Sequence, residues 1–192
     1  MSPDLDRDIV DWLVAAALES ADENALLTAL AERLNAAGFD LSRVFVGTEV
    51  FHPQVEARSF IWRPGGAIQE DYDFQTMDEV GDGWTRSPLY YLLDNGLGWM
   101  RLRLDELGPG RFPLLERLRD EGCTDYAAAM RNFAPQPLVG EVDGVMASWT
   151  TTRPGGFADT ELAVLQRSAS PLALAFKGMA AMDVVRTHLS RA

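Results

Sequence analysis

The chain has 192 residues, of which 47% are hydrophobic and 24% are charged. A chain of this length usually forms one domain and buries enough surface to fold without disulfides or metals. Its 17 basic and 29 acidic side chains give a net charge of −12. This charge argues against binding to nucleic acid or to an anionic membrane, because both need a basic surface. The single cysteine, Cys123, excludes an internal disulfide and a cysteine-based zinc site.

The sequence carries no targeting or membrane signal that we recognise. No basic segment followed by an apolar one opens the chain. The longest apolar run, Leu172–Met182, is too short to span a bilayer. We therefore expect a cytoplasmic protein that does not enter a membrane.

The first 40 residues predict two amphipathic helices. The first begins after Asp4–Asp8, and its apolar face consists of Ile9, Trp12, Leu13 and Ala16. Ser20 and Glu23 have the spacing of a capping box and predict the start of the second helix. Its apolar face consists of Leu26, Leu27, Leu30 and Leu34, and Gly38 ends it. Each helix must cover another element, since each has one apolar face.

Residues 43–63 change to the two-residue period of β-strands. Val44 and Val46 share one face, and Phe45 lies on the other. The break at Pro53 predicts an antiparallel hairpin whose second strand covers 55–63. Most of 64–86 is predicted to be an acidic loop, with 71–76 as an alternative short strand. A short helix follows over 87–94, with Ser87 at its N-cap.

The second half predicts two more strands, a helix and a hairpin. Trp99–Leu104 is a strand with Met100, Leu102 and Leu104 inward and its two arginines outward. Phe112–Glu121 is a helix, and Tyr126–Phe133 is the next strand. Asp143-Gly144 separates two apolar runs, 138–142 and 145–152, which is typical of a hairpin turn.

The final pattern is one long helix that starts at Asp159 or Thr160 and that Pro171 should kink or divide. The order of elements is two helices, strands, short helices, strands and a long helix. It predicts an α+β domain with five or six antiparallel strands and with helices packed on one face.

Six short stretches occur together in an order that resembles a known family. They are Ser87-Pro88-Leu89-Tyr90, Phe112-Pro113-Leu114-Leu115, Gly122-Cys123-Thr124-Asp125-Tyr126, Ser148-Trp149-Thr150-Thr151, Pro154-Gly155-Gly156-Phe157 and Leu172-Ala173-Leu174. From about Asp8 onward the chain resembles the GAF-like N-terminal domain of alphaproteobacterial class III adenylate/guanylate cyclases. The resemblance implies a GAF fold over 1–157, with a ligand-sized space on the sheet face opposite the helices. It also implies a connecting, signalling helix over 158–192.

The chain departs from the family in two ways. It ends inside the connecting helix, before the catalytic domain, so we predict a regulatory domain that is not an enzyme. It also lacks the Asn-Lys-Phe…Asp-Glu signature of cyclic-nucleotide-binding GAF domains, since Lys177 is its one lysine. We therefore do not expect a cyclic nucleotide as the ligand.

No pattern predicts a metal or a cofactor. His52 and His188 are far apart in sequence, and the acidic segment 70–82 lacks the ordered spacing of a calcium loop. Cys123 precedes a threonine, whereas bilin-binding GAF domains usually place a histidine after the attachment cysteine. We interpret Cys123 as an ordinary buried thiol.

Aromatic residues are the main candidates for ligand binding. In a GAF-like arrangement several of them should converge on the sheet face opposite the helices and bind a small planar or apolar molecule. The alternative is that they fill the core, as aromatic residues usually do. The candidates are Trp62, Trp84, Tyr90, Trp99, Tyr126 and Trp149.

The terminal helix predicts a homodimer. Leu172–Met182 is apolar on almost every side, so it should pack against its own domain and against a second copy. The predicted contact residues are Leu172, Phe176, Met179 and Met182. Docking on its own domain alone is the alternative.

Two kinds of function remain open. One is a cyclase sensor domain that transmits ligand or partner binding through its last helix. The other is a dimerisation module without a ligand or, less favoured, a small enzyme. An enzyme would need a carboxylate with a perturbed pKa, such as Asp125 or Glu49.

Overall fold

A computed structural model describes residues 3–19, 22–50, 58–71, 85–133 and 142–189. Five helices lie within these ranges: α1 (Pro3–Glu19), α2 (Glu23–Ala36), α3 (Pro88–Asp94), α4 (Pro113–Asp120) and α5 (Asp159–Leu189). Six strands accompany them: β1 (Leu41–Val50), β2 (Arg58–Arg63), β3 (Gly66–Asp71), β4 (Trp99–Arg103), β5 (Asp125–Asn132) and β6 (Val142–Thr151). None of the described helices is long and apolar enough to cross a membrane.

The six strands form one sheet in the order β3-β2-β1-β6-β5-β4. Every neighbouring pair is antiparallel. Strands β1 and β6 lie at the centre, and β3 and β4 form the edges. The predicted α+β class and the predicted antiparallel sheet are therefore confirmed.

Helices cover both faces of this sheet and create two separate cores. The three long helices α1, α2 and α5 pack on one face, which we call the long-helix face; its strand residues include Val44, Val46, Ala127 and Ala147. The short helices α3 and α4 pack on the opposite side, the short-helix face; its strand residues include Met100, Ala128, Met130 and Met146. Because successive strand residues point to opposite faces, each strand contributes to both cores.

The N-terminal helices begin at different residues from those predicted. Helix α1 starts at Pro3, so it includes the acidic stretch that was expected to precede it. The N-cap of α2 is Asp22, whose Oδ1 accepts a hydrogen bond from the backbone N of Ala25 at 2.8 Å. Asp22 is as good an N-cap as serine, and Ser20 lies outside the described residues. The predicted apolar face of α2 is fully buried.

Strand β3 lies in the segment that the sequence predicted to be mostly loop. It pairs with β2, with Arg63 opposite Gly66, so Pro64 and Gly65 form a two-residue turn. Gly65 and Gly66 have φ of +117° and +130°, a region that residues with a Cβ rarely adopt. The alternative strand over 71–76 falls almost entirely outside the described residues. The prediction of a loop was wrong for 66–71, because acidic residues are also common on edge strands.

Asp143-Gly144 does not form the predicted hairpin turn. Strand β6 runs through it, and Gly144 pairs with Asn132 of β5 and with Glu49 of β1. A Cβ on Gly144 would lie 3.0 Å from Asn132 Oδ1 and 3.1 Å from the Arg131 carbonyl oxygen. A Cβ here would push against β5, so glycine favours the close approach of this neighbouring strand, next to a register shift in the β1–β6 pair. The connection between β5 and β6 lies outside the described residues.

Helix α5 runs without interruption from Asp159 to Leu189 with Pro171 inside it, so Pro171 does not divide it. Its core contacts begin with Val164 and Leu165 and extend through Phe176, with Ala180 also buried. The first two thirds of α5 are thus part of the long-helix core. The boundary between a sensor domain and a connecting helix at residue 158 remains a prediction.

Candidate functional site

The short-helix face combines an apolar cover with polar groups in the sheet below it. Leu89 and Leu92 of α3 and Leu115 and Leu118 of α4 supply the buried side of the cover. Met100, Leu104, Met130 and Met146 surround the polar groups within the same core. Polar groups in such surroundings need partners from the protein or from a ligand.

One polar row crosses the middle of this face. Arg43 of β1 lies opposite Thr150 of β6, and Thr150 lies opposite Tyr126 of β5. A register shift between Leu41 and Arg43 places this row at a β-bulge in β1. Arg43 is 7% exposed, and Thr150 and Tyr126 are fully buried. The Arg43 guanidinium stacks 5.5 Å from the centre of the Phe45 ring.

Tyr126 is the central residue of this row. Its Oη atom is buried and has no hydrogen-bond partner of good geometry among the described residues. Burial raises the pKa of Tyr126 to about 12, while the nearby Ser148 hydroxyl and the positive charge of Arg43 lower it in part. The phenol is therefore neutral at physiological pH and keeps a proton that it can donate.

The remaining hydroxyl groups of the row interact with one another. Thr150 Oγ1 and Ser42 Oγ are 3.1 Å apart, and Ser42 Oγ lies 3.6 Å from the sulfur of Cys123. Cys123 is buried and belongs to the short-helix core. These contacts satisfy hydroxyl groups at one end of the row, and the Tyr126 hydroxyl takes no part in them.

Three of the predicted ligand-binding tryptophans lie on the wrong face for that role. Trp62 and Trp149 are buried in the long-helix core, and Trp99 packs beside them. The ring centres of Trp99 and Trp149 are 6.2 Å apart. The predicted convergence on the face opposite the helices is therefore wrong for these residues, which are covered by α1, α2 and α5. Periodicity shows which residues share a face, but not which of two covered faces they occupy.

The other predicted aromatics have different positions. Tyr90 lies on α3 and is partly exposed, and its backbone N donates to the N-cap Ser87 Oγ at 3.0 Å. Trp84 lies outside the described residues. Of the six candidates, Tyr126 alone is a described member of the short-helix core.

The predicted dimer residues also divide between two environments. Leu172 and Phe176 are fully buried against their own sheet, and Met179 is partly buried there. The assignment of Leu172 and Phe176 to an interface between copies is therefore wrong, because the subunit's own core already covers them. Met182 is 58% exposed, and Leu174 is 64% exposed on the same helix. This flank of α5 is apolar and uncovered within the single chain.

The carboxylate proposed for an enzymatic role is fully engaged. Asp125 is buried on the long-helix face, and its Oδ2 accepts from Arg101 Nη2 at 2.8 Å and from the Phe157 backbone N at 2.9 Å. Its Oδ1 accepts from Arg101 Nε and from the Tyr126 backbone N. Both oxygens thus have structural partners, which does not suit a general base. The side chain of Glu49 lies outside the described residues, and no group of metal ligands occurs among the described ones.

Arg43 is the site residue that sequence reasoning missed. It lies at the start of the alternating segment 43–63, where the sequence analysis named only apolar residues. The bulge that sets its register beside Ser42 depends on the pairing of β1 with β6. No local sequence pattern predicted that pairing.

Comparison with known proteins supports the fold. No protein-family model matches the chain, and no curated protein matches it. Solved structures do match. The A. aeolicus nlh2 GAF domain in an inactive state is 13% identical with a TM-score of 0.53, over 90% of this chain and 96% of that one.

Two further structures match over similar lengths. An N-acylhomoserine lactone dependent LuxR family transcription factor from Burkholderia cenocepacia is 13% identical with a TM-score of 0.52, over 88% of this chain and 90% of that one. The GAF domain of a two-component sensor histidine kinase from Bacillus halodurans is 11% identical with a TM-score of 0.51, over 95% and 99% of the two chains. At these identities the similarity concerns the fold alone. The chain therefore has a GAF-like α+β fold.

Proposed function

We propose that this chain is a regulatory sensor domain that binds a small molecule on the short-helix face and passes the signal on through α5. Tyr126 carries this proposal, because it places a fully buried hydroxyl donor without a good partner beneath an apolar cover. A buried donor without an acceptor costs about 1–3 kcal/mol. A ligand that supplied an acceptor atom would remove this cost.

The surroundings of Tyr126 define the class of ligand. Most described side chains on this face are apolar, and the polar ones among them include Ser148, Thr150, Ser42 and Arg43. Such a site suits a mainly apolar molecule that carries one acceptor oxygen, such as a carbonyl. Two structural neighbours support a sensory role: one is a GAF domain of a sensor histidine kinase, and the other is a transcription factor that depends on an N-acylhomoserine lactone.

Native mass spectrometry of the purified chain tests ligand binding. We expect a small molecule to be retained by the wild type and lost from Tyr126→Phe, which removes the donor and keeps the ring. Tyr91→Phe is the matched control, since the Tyr91 ring lies on α3 against Phe112 and Arg111. Where the wild type is purified empty, an N-acylhomoserine lactone serves as the probe in a thermal-shift measurement.

The outcomes separate the sensor from a dimerisation module without a ligand. A retained molecule, or a probe-induced rise in Tm, that Tyr126→Phe abolishes and Tyr91→Phe preserves supports the sensor. A chain that retains nothing and whose Tm the probe does not raise supports the module. If Tyr126→Phe retained the small molecule as well as the wild type does, the Tyr126 hydroxyl would not take part in ligand binding.

We further propose that the output domain is the catalytic domain of a class III cyclase and that the protein acts in the cytoplasm. The support is the ordered set of sequence stretches, from Ser87-Pro88 to Leu172-Ala173-Leu174. Reading the gene beyond codon 192 tests this part. A cyclase catalytic domain downstream supports the assignment, and a different output domain or a stop codon overturns it.

The chain is also proposed to form a homodimer through the exposed flank of α5. Leu174 and Met182 on α5 are joined by Val14 and Leu18 on α1, which are 57% and 87% exposed. Helices α1 and α5 pack against each other, and each carries exposed apolar side chains. A second copy offers the same apolar surface and can cover it through a two-fold axis.

Light scattering tests the dimer. We expect the double variant Leu174→Glu, Met182→Glu to be monomeric, because two buried carboxylates would face an apolar partner surface. Gln166→Glu is the control, since Gln166 is already exposed and polar on the same helix. A dimeric double variant, or a monomeric wild type, would contradict this interface.

A further inference from the structure

The loop that leads from β6 into α5 is held by three arginines. Three successive carbonyl oxygens each accept a hydrogen bond from a different one: Gly155 from Arg103 at 2.9 Å, Gly156 from Arg153 at 3.0 Å and Phe157 from Arg101 at 3.2 Å. We call these three side chains together with residues 154–157 the arginine clasp. Arg101 and Arg103 belong to the edge strand β4, whereas Arg153 lies two residues after the end of β6.

The clasp continues into the first turn of α5. Arg153 Nη1 donates to Glu161 Oε1 at 3.0 Å, and Glu161 Oε2 accepts from the backbone N of Ala158 at 2.8 Å. The hydrogen bond with Glu161 raises the pKa of Arg153. Glu161 therefore caps the helix start and fixes it to the end of β6 at the same time.

Asp125 connects the clasp to β5. Its buried carboxylate binds Arg101 and the backbone N of Phe157. Gly156 has φ of +73°, and a Cβ at this position would overlap the Asp125 carboxylate. The loop thus approaches β5 as closely as glycine permits, and it is fixed there by charge-assisted hydrogen bonds, which are stronger than neutral ones.

Asp125 and Tyr126 are consecutive residues on opposite faces of β5. Asp125, which holds the start of α5 on the long-helix face, is therefore the chain neighbour of Tyr126, whose hydroxyl lies on the short-helix face. The Tyr126 backbone N also donates to Asp125 Oδ1 at 3.0 Å. A displacement of the Tyr126 backbone would therefore act directly on the hydrogen bonds of Asp125.

We propose that the arginine clasp makes the start of α5 move as one body with β5, so that a change at Tyr126 is transmitted to α5. This inference describes the regulation of the site proposed above and rests on that function. Two sites are coupled when both bias the same structural element. The element named here is the loop 154–157 with the first turn of α5.

Native-state hydrogen exchange of the whole chain, read by mass spectrometry, tests the clasp. In the wild type we expect the amides of the first two turns of α5 to exchange through the same opening as those of β5. Arg103→Gln removes the bond to Gly155 and should accelerate exchange at the α5 start about tenfold while β5 stays protected. Arg101→Gln should have a larger effect, although it leaves Asp125 buried without its cation.

The control is Arg63→Gln, which removes an arginine–glutamate pair outside the clasp. Arg63 binds Glu121 at 3.3 Å, and both side chains are substantially exposed. We expect no change in exchange at the α5 start for this variant. Unchanged exchange in Arg103→Gln and Arg101→Gln, or an α5 start that opens independently of β5 in the wild type, would overturn the clasp.

A double-mutant cycle tests transmission from Tyr126. Tyr126→Leu shortens the side chain on the short-helix face without touching the clasp, and Tyr126→Phe provides a milder change. We expect Tyr126→Leu to alter exchange at the α5 start in the wild-type background and to have a smaller effect in Arg103→Gln. An equal effect in both backgrounds, or none in either, rules out transmission through the clasp.

This experiment is independent of the ligand. It measures exchange in the chain alone, so a negative result leaves the ligand-binding proposal standing. Conversely, a chain that binds no small molecule can still show the coupled exchange. The two proposals therefore fail separately.

Discussion

At the scale of single residues, the buried Tyr126 hydroxyl lowers the stability of the fold and is also a hydrogen-bond donor that a ligand could use. Its hydroxyl is buried without a good acceptor among the described residues, and removal of such a group is often neutral or stabilising. We therefore interpret the phenol as a functional rather than a stabilising group. The sequence identified this residue as a candidate, but with tryptophans that the fold places on the other face.

The titration of Tyr126 gives a prediction about alkaline pH. Burial raises its pKa from 10.0 to about 12, so the folded chain keeps a proton that the unfolded chain loses between these values. The contribution of Tyr126 to the free energy of unfolding is complete below pH 10 and falls above it, by about 1.4 kcal/mol for each pH unit up to about pH 12. Urea unfolding of the wild type and Tyr126→Phe between pH 8 and about pH 12 measures this difference.

The phenylalanine variant isolates the effect, because it retains every other titrating group. Its free energy of unfolding should lose less than that of the wild type over the same range. Parallel pH profiles for the two proteins would mean that the phenol is solvated in the folded state. That result would also remove the basis for an unpaired donor on the short-helix face.

At the scale of elements, the sequence predicted periodicity well and absolute orientation poorly. The alternation of Val44 and Val46 with Phe45, and of Met100 with Arg101, is present in the sheet. The helices that cover a face decide which core each set of residues joins. A two-residue period carries no information about those helices. The prediction of a turn at Asp143-Gly144 was wrong for a similar reason, since a glycine that lies close to a neighbouring strand has the same local signature as a hairpin turn.

Helix α5 shows the same division between pattern and placement. Its apolar residues occur all around the helix, but only one side packs into the core. We expect Phe176→Ala to lower the free energy of unfolding by roughly 3–5 kcal/mol, because Phe176 is fully buried and lies edge-on to Phe60 at 5.4 Å. Leu174→Ala should change it by less than about 0.5 kcal/mol. The two variants are compared by denaturant unfolding, at a protein concentration too low for the chains to associate.

Two results of that comparison would contradict the placement of α5. A small loss for Phe176→Ala would mean that this side chain is not in the core. A large loss for Leu174→Ala at low concentration would mean that the exposed flank already packs within one subunit, which would also remove the proposed dimer surface.

At the scale of the whole molecule, one sheet serves two cores with different compositions. The long-helix core is built from aliphatic and aromatic side chains with few polar members, which suits a rigid support for α5. The short-helix core includes a buried polar row and is covered by two helices of seven and eight residues. Short elements with fewer contacts open more readily than long ones. The proposed ligand site on the short-helix face relies on this asymmetry, because the long-helix face would keep the fold while the other face opens.

The net charge of −12 on each copy gives a prediction about assembly. Two such copies repel each other at long range, whereas the proposed contact through Leu174 and Met182 is apolar and insensitive to salt. Because charges are screened over about 10 Å at 0.1 M salt and over less at higher concentrations, added salt should strengthen association. Sedimentation at about 0.05 M and about 0.5 M sodium chloride should therefore show a lower dimer dissociation constant at the higher concentration.

The double variant Leu174→Glu, Met182→Glu is the control for this measurement. It should remain monomeric at both salt concentrations, because screening removes repulsion but does not restore the apolar contact. Dissociation of the wild type by added salt would instead point to an interface held by ion pairs. That outcome would contradict an apolar dimer contact through Leu174 and Met182.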